Sequence, residues 1–306
     1  MAFPPPHIVQ PKDPHTHTHT IVLLHGRASN GPEFAEELFD THSSDNKSLA
    51  THFPACRWVF PTSRDRWSSV FKENLTAWFD MRSLTNPCDE EQQEIQVDGL
   101  RESTLYILDI LRREIELLDG KSENVILGGV SQGMATALWT LLCSPGQIVK
   151  GKSGGIGALF GMCGWLPFAN KIEDFLQKVP EDKDTDTTTT TTTTTSSGTK
   201  LGLMVPIPKL LLDIIGSSEE TQASTADDVE RMLSTPILLL HGTDDAWVDV
   251  ELGRQAHRNL TKMGMHVDWV EYSGAENEGH WIREPEGIDI LVAFIGGLPL
   301  SRMNVG

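Results

Sequence analysis

A short segment near the middle of the chain constrains the fold most, because it joins an apolar run directly to a helix-forming run through a serine. Residues 125–137 read V-I-L-G-G-V-S-Q-G-M-A-T-A, which predicts a strand, a sharp turn and a helix. Such a turn at Ser131 crowds the residues two positions away, so Gly129 and Gly133 must lack side chains. The pattern predicts a nucleophile elbow, with the serine hydroxyl exposed at a helix N-terminus that favours a developing anion.

Apolar runs alternate with amphipathic segments along most of the chain. Helices are predicted from about Pro32, over Val97 to Leu118, directly after Ser131, and near Pro285 to Ile295. Strand alternating with helix indicates an α/β protein with a parallel sheet covered on both faces. The predicted strands are T-I-V-L-L-H-G, C-R-W-V-F-P, N-V-I-L-G-G, G-G-I-G-A-L-F-G-M-C, T-P-I-L-L-L-H-G and H-V-D-W-V-E-Y.

Composition narrows the classes of partner. The formal charge of −18 over 306 residues argues against nucleic acid or an anionic membrane as the main partner. No apolar run reaches the roughly 18 residues that span a bilayer, and the N-terminus lacks the pattern of a signal peptide. Cys56, Cys88, Cys143 and Cys163 show no metal-ligand spacing and are typical of a reducing compartment. We therefore expect a cytoplasmic protein without a metal site, for which any membrane contact is transient.

Two segments interrupt the alternating pattern. Residues 1–19 are rich in proline, histidine and threonine, which predicts a disordered tail before a domain at 20–306. An insert at 168–234 separates two strands, and its threonine-rich part at 185–199 cannot supply a packed core. The apolar stretch 201–215 within this insert needs a cover, so we expect a lid over the active site, packing on the domain body, or contact with a partner or membrane surface.

A nucleophilic serine needs a histidine base and an acid that orients it, and with this elbow the chain order is serine, acid, histidine. The segment T-P-I-L-L-L-H-G-T-D-D-A-W-V-D ends a predicted strand with Asp244, Asp245 and Asp249 close by. The sequence alone does not separate Asp244 from Asp245. His280 follows the last predicted strand on a glycine-bearing loop, which makes it the candidate base.

Several segments in this order resemble the acyl-protein thioesterase and phospholipase/carboxylesterase family of the α/β-hydrolase superfamily. The resemblance implies an α/β-hydrolase fold, with a mostly parallel central sheet, helices on both faces and a long, partly disordered insert. The matching pieces are L-L-H-G at 23–26, W-F-D at 78–80, I-L-G-G-V-S-Q-G at 126–133, G-W-L-P at 164–167, H-G-T-D-D-A-W-V at 241–248 and G-H at 279–280.

The resemblance assigns Ser131 as nucleophile, His280 as general base and Asp245 as the orienting acid, and it leaves Asp249 as a helix cap or surface group. It also assigns the oxyanion hole to the backbone N–H groups of Arg27 and Gln132. Arg27 departs from similar proteins, which often carry leucine there, so its side chain is expected to alter the mouth of the acyl site.

Trp78 and Trp165 resemble substrate-binding residues in the pocket wall of the family, although both also fit a core.

The implied function is a serine hydrolase that cleaves acyl esters or thioesters through an acyl-enzyme, without metal or organic cofactor. Its substrate would be a small acyl ester or an acylated protein. The alternatives are a non-catalytic protein of this fold that binds a small molecule or partner, and a pathway-specific polyketide thioester hydrolase. Acyl length, ester or thioester preference and oligomeric state do not follow from the sequence.

Overall fold

The fold is organised around one large β-sheet. The computed structural model describes residues 2–83, 90–148, 155–178, 206–214, 216 and 224–298, and within them the main sheet has seven strands beside a separate two-stranded hairpin of β4 and β5. The strands are β1 His7–Val9, β2 His19–Leu24, β3 Cys56–Phe60, β4 Arg64–Trp67, β5 Asn74–Ala77, β6 Val125–Val130, β7 Ala158–Met162, β8 Ile237–Gly242 and β9 Val267–Tyr272.

The strand order places β6 at the centre of the main sheet. From one edge to the other the order is β1-β3-β2-β6-β7-β8-β9, and every neighbouring pair is parallel except β1 with β3. The predicted mostly parallel sheet is therefore confirmed. Because parallel strands end at a common edge, the loops that follow β2, β6, β8 and β9 meet there, where α/β sheets usually form their sites.

Helices cover both faces of the sheet, as predicted. One apolar cluster includes residues of α3, α4, α6 and α8, and the other includes residues of α1, α2 and α9. Within the described residues, none of these helices is long and apolar enough to cross a membrane. The helices are α1 Gly31–Phe39, α2 Leu49–His52, α3 Val97–Leu117, α4 Gln132–Cys143, α5 Ala169–Gln177, α6 Pro206–Ile214, α7 Ala226–Leu233, α8 Val250–Met263 and α9 Glu286–Gly297.

The N-terminal segment departs from the predicted disordered tail at 1–19. His7–Val9 pair antiparallel with β3, and the Phe3 ring stacks on Tyr106 with ring centroids 4.0 Å apart. His19 is completely buried as the first residue of β2. A strand of three residues has too short a pattern to stand out in a sequence, and it is stabilised by pairing with β3.

The described part of the insert at 168–234 packs on the domain body. Helix α6 lies against α4, where Ile207 and Leu211 are buried in the larger apolar cluster. Among the described residues of 201–215, none lines the cavity at the carboxyl edge of the sheet. Residues 206–214 therefore cover α4 rather than this cavity. The threonine-rich part at 185–199 lies outside the described residues.

Candidate active site

Ser131 stands at the turn between β6 and α4 in a strained backbone conformation. Its φ of 55° and ψ of −123° lie in a region that residues with a side chain rarely adopt. A Cβ on Gly129 would lie 2.5 Å from the carbonyl carbon of Gly133, and one on Gly133 would lie 2.1 Å from the Leu24 carbonyl oxygen. Close approach of backbone therefore requires glycine on both sides of the serine, as the sequence pattern predicts.

Asp245, in the loop after β8, and His280, in the loop after β9, form a hydrogen-bonded pair. His280 Nδ1 lies 2.7 Å from Asp245 Oδ2, and Asp245 Oδ1 accepts from the N–H groups of Trp247 and Val248, each at 2.9 Å. An ionised carboxylate only accepts, so Nδ1 of His280 carries the proton and Nε2 is left free as a base. The Asp245 side chain is fully buried, whereas that of His280 keeps 17% of its surface exposed.

Hydrogen bonds keep the Asp245 carboxyl ionised in spite of its burial. Burial by itself would raise the pKa of Asp245. Hydrogen bonds with His241 and His280 and from the Val248 N–H outweigh burial and hold that pKa well below its ordinary value.

His241 is a residue that the sequence analysis missed. It is completely buried, and its Nε2 lies 3.0 Å from the Val248 carbonyl oxygen and 3.3 Å from Asp245 Oδ2. Because a carbonyl only accepts, Nε2 of His241 carries the proton. His241 is thus a second imidazole donor to the carboxylate that binds His280. Its place four residues before Asp245 is the only signal in the sequence for this contact.

The two neighbouring aspartates hold other parts of the structure. Asp244 Oδ2 accepts from the Gly274 N–H at 2.8 Å, so it fixes the loop between β9 and His280. Asp249 caps α8, where its side chain accepts from a first-turn N–H at 2.9 Å. Of these three aspartates, Asp245 is the one that contacts His280.

The two predicted oxyanion donors lie beside Ser131. Gln132 is the first residue of α4, and the leading N–H groups of a helix have no partner inside it. The loop after β2 passes close to the serine, since a Cβ on Gly26 would lie 3.6 Å from Ser131 Cβ, and Arg27 follows directly. Arg27 and Gln132 both line the cavity that contains Ser131.

The structure separates the two tryptophans that were predicted to bind substrate. Gln132 Oε1 accepts from the Trp78 N–H at 2.9 Å, and Gln132 Nε2 donates to the Phe79 carbonyl at 2.8 Å. The Trp78 indole N–H donates to the His25 carbonyl at 2.9 Å. Trp78 is completely buried and does not line the cavity, so the prediction of a pocket-wall residue is corrected to a core residue that joins two loops. Trp165 does line the cavity.

Ser131 and His280 line one cavity of about 360 Å³. Among the described residues that line it, the ionisable side chains besides His280 are Arg27 and Glu37. Mainly apolar walls around a few polar groups suit the binding of an acyl group. The large apolar side chains of the wall are Phe34, Phe71, Met81, Trp165, Trp247 and Trp281.

A serine at a strand–helix elbow of a parallel sheet, with an Asp–His pair from later loops, is typical of the α/β-hydrolase fold. The crystal structure of Zea mays acyl-protein thioesterase 2 superposes with a TM-score of 0.61 at 23% identity. The superposition covers 95% of this chain and 97% of the maize chain. The protein therefore has the α/β-hydrolase fold.

A family model described as phospholipase/carboxylesterase matches residues 4–190, more than half of the chain, and the protein belongs to this family. It is 23% identical over 280 residues to acyl-protein thioesterase 1 homolog 1 of Dictyostelium discoideum, covering 92% of this chain and 90% of the relative. It is 26% identical over 275 residues to carboxylesterase SOBER1 of Arabidopsis thaliana, covering 87% and 85%. The protein is a serine hydrolase of carboxylic esters or thioesters, which sets aside the non-catalytic alternative.

Proposed function

We propose that Ser131, His280 and Asp245 are the catalytic triad of this hydrolase. The observation that carries the proposal is the 2.7 Å hydrogen bond between His280 and Asp245 in the wall of the cavity that Ser131 also lines. The bond leaves Nε2 of His280 unprotonated, so it can accept the proton of the Ser131 hydroxyl. Asp245, kept ionised by its donors, stabilises the imidazolium that forms.

The proposed reaction has two stages. Ser131 Oγ attacks the acyl carbonyl carbon while His280 takes the hydroxyl proton, and the N–H groups of Arg27 and Gln132 stabilise the oxyanion. The bond from the acyl carbon to the leaving oxygen or sulfur then breaks as His280 returns the proton to that atom. Water, deprotonated by His280, attacks the acyl-enzyme, releases the carboxylic acid and restores the Ser131 hydroxyl.

The proposed substrate is an acyl ester or an acylated protein whose acyl group contacts Trp165. The apolar cavity supports an acyl group. Relatives named acyl-protein thioesterase and carboxylesterase support a thiol and an alcohol as leaving groups.

We place the protein in the cytoplasm, because Cys56, Cys143 and Cys163 are free thiols buried in the fold, as is usual in a reducing compartment.

Replacing the proposed nucleophile tests the triad. Ser131→Ala should lower kcat/KM by about 10⁴-fold or more on p-nitrophenyl esters of graded length, acyl-CoA and acyl-cysteine peptides. It should also abolish labelling by a fluorophosphonate. The matched control is Ser234→Ala, an exposed serine before β8 at the opposite edge of the sheet, which should keep activity and labelling. Hydrolysis within tenfold of wild type by folded Ser131→Ala would rule out the assignment.

A further inference from the structure

Arg27 brings a cation into a cavity whose walls are mainly apolar. Its Nη2 donates to the Ser68 hydroxyl at 2.9 Å, and its guanidinium carbon lies 4.6 Å from the centroid of the Phe71 ring. Within the described part of the chain, its Nη1 is shielded from solvent without a hydrogen-bond partner, and the side chain forms no ion pair. Burial lowers the pKa of Arg27, and the charge of Asp80 acts in the opposite direction.

A shielded cationic N–H without a partner is costly, and more so than a neutral one. Buried polar groups in native proteins normally have partners, so an exception needs an explanation. Because Arg27 lines the cavity beside Ser131, a small rotation of its flexible side chain would let a bound substrate supply that partner. The partner that suits a guanidinium is a carboxylate, whose two oxygens match the planar fork of donors.

The second ionisable group, Glu37, lies where the active-site cavity adjoins a second cavity. Glu37, Asn277 and Trp281 also line a neighbouring cavity, whose remaining walls include the carboxylates of Asp40, Glu276 and Glu284. Burial, with the nearby charges of Glu33 and Glu36, raises the pKa of Glu37. The active-site cavity thus adjoins acidic surroundings at Glu37, whereas Arg27 is not among the described residues that line this second cavity.

The direction of the bound substrate follows from the position of His280. In the proposed mechanism His280 gives its proton to the leaving group, so the leaving group lies on the side of Asn277 and Trp281, which flank His280 in sequence and line the same cavity. The acyl group then extends the other way, toward Arg27 and Phe71.

Resting on the proposed function, we infer that Arg27 is a specificity-determining residue that selects acyl groups with a carboxylate at their far end. The preferred substrates are half esters or half thioesters of dicarboxylic acids. The guanidinium pairs with the terminal carboxylate, while Ser131 attacks the acyl carbonyl at the other end of the chain. Glu37 disfavours the reverse orientation, because it would face the carboxylate with like charge.

The test compares two esters of equal chain length, p-nitrophenyl hydrogen adipate and p-nitrophenyl hexanoate, with Ser131→Ala as the blank. Wild type should hydrolyse the adipate at least as efficiently as the hexanoate. Arg27→Met should lower the ratio of kcat/KM for adipate over hexanoate by about 10- to 100-fold, and Arg27→Lys by less. The ratio is the readout because the Arg27 N–H belongs to the proposed oxyanion hole, and changes common to both esters cancel. The matched control is Lys72→Met, an exposed cation in the β4–β5 loop, which should leave the ratio unchanged.

Calorimetric binding of adipate to Ser131→Ala, with and without Arg27→Met, tests the same contact without turnover. The inference is overturned if wild type prefers hexanoate, if the ratio in Arg27→Met stays within twofold of wild type, or if Arg27→Met leaves adipate affinity unchanged. If folded wild type hydrolyses neither ester, the proposed function fails. Loss of adipate binding in Arg27→Met would then still support the inference about Arg27.

Discussion

Asp244 and Asp245 are adjacent in the chain but bind different partners. Asp245 accepts from His280, whereas Asp244 accepts from the Gly274 N–H. We predict that Asp245→Asn lowers kcat/KM by about 10³- to 10⁴-fold, because an amide can no longer hold the required tautomer of His280. Asp244→Asn keeps an acceptor for Gly274 and should lose far less. Steady-state kinetics of both variants on one ester test this prediction. An equal loss of kcat/KM in the two variants would contradict the assignment of Asp245.

The sequence predicted the residues of this pair but could not choose between the aspartates, for a physical reason. Which of two adjacent carboxylates faces the histidine depends on the backbone of the loop after β8. That backbone is set by contact with a distant loop, since a Cβ on Gly279 would lie 2.8 Å from the Asp244 carbonyl carbon. Strands and the nucleophile elbow could be predicted because their patterns are local in the sequence. This contact could not, because it joins residues 35 positions apart.

At the level of elements, the long helices and apolar strands were predictable because their periodicity extends over many residues. The β4–β5 hairpin was missed, since R-D-R-W and N-L-T-A carry no apolar run and the residues of β4 are only partly buried or exposed. Helix α6 shows a different difficulty. Its apolar sequence required a cover, but only the structure shows that the cover is α4.

Two neighbouring leucines of α6 test this packing. Leu211 is completely buried against the body, whereas Leu210 is only partly buried. We predict that Leu211→Asp lowers the free energy of unfolding by about 3 kcal/mol or more, because it buries an unpaired charge, and that Leu210→Asp lowers it by roughly 1 kcal/mol. Urea denaturation gives both values. A stable Leu211→Asp variant with an altered acyl-length profile would instead indicate a lid.

At the level of the whole molecule, the strand order could not be read from the sequence, because periodicity identifies strands without naming their neighbours. β2 lies between β3 and β6. This central position buries two histidines, one at the start of β2 and one directly after its end. His19 in β2 and His25 directly after it are both completely buried. His25 accepts the Ser63 N–H at Nε2 and therefore donates to the Gly26 carbonyl from Nδ1, so the fold holds it neutral.

These buried histidines predict the acid sensitivity of the fold. Burial lowers the pKa of His19 and of His25 to about 4, whereas an unfolded histidine titrates near pH 6.5. Between these values the unfolded chain binds more protons, so stability is full above about pH 6.5 and falls as the pH drops toward 4. The carboxyls of Asp245 and Glu271, whose pKa values lie lower still, add to the loss as the pH falls below about 5.

Urea denaturation at pH 7 and pH 4.5 measures this dependence, and we expect each buried histidine to contribute about 2 kcal/mol to the loss. His25→Gln, whose amide oxygen can still accept the Ser63 N–H, should reduce the difference between the two pH values by that amount, whatever its effect at pH 7. His42→Gln, at an exposed position, should leave the difference unchanged. Equal pH dependence in wild type and His25→Gln would show that the fold does not disfavour protonation of this histidine.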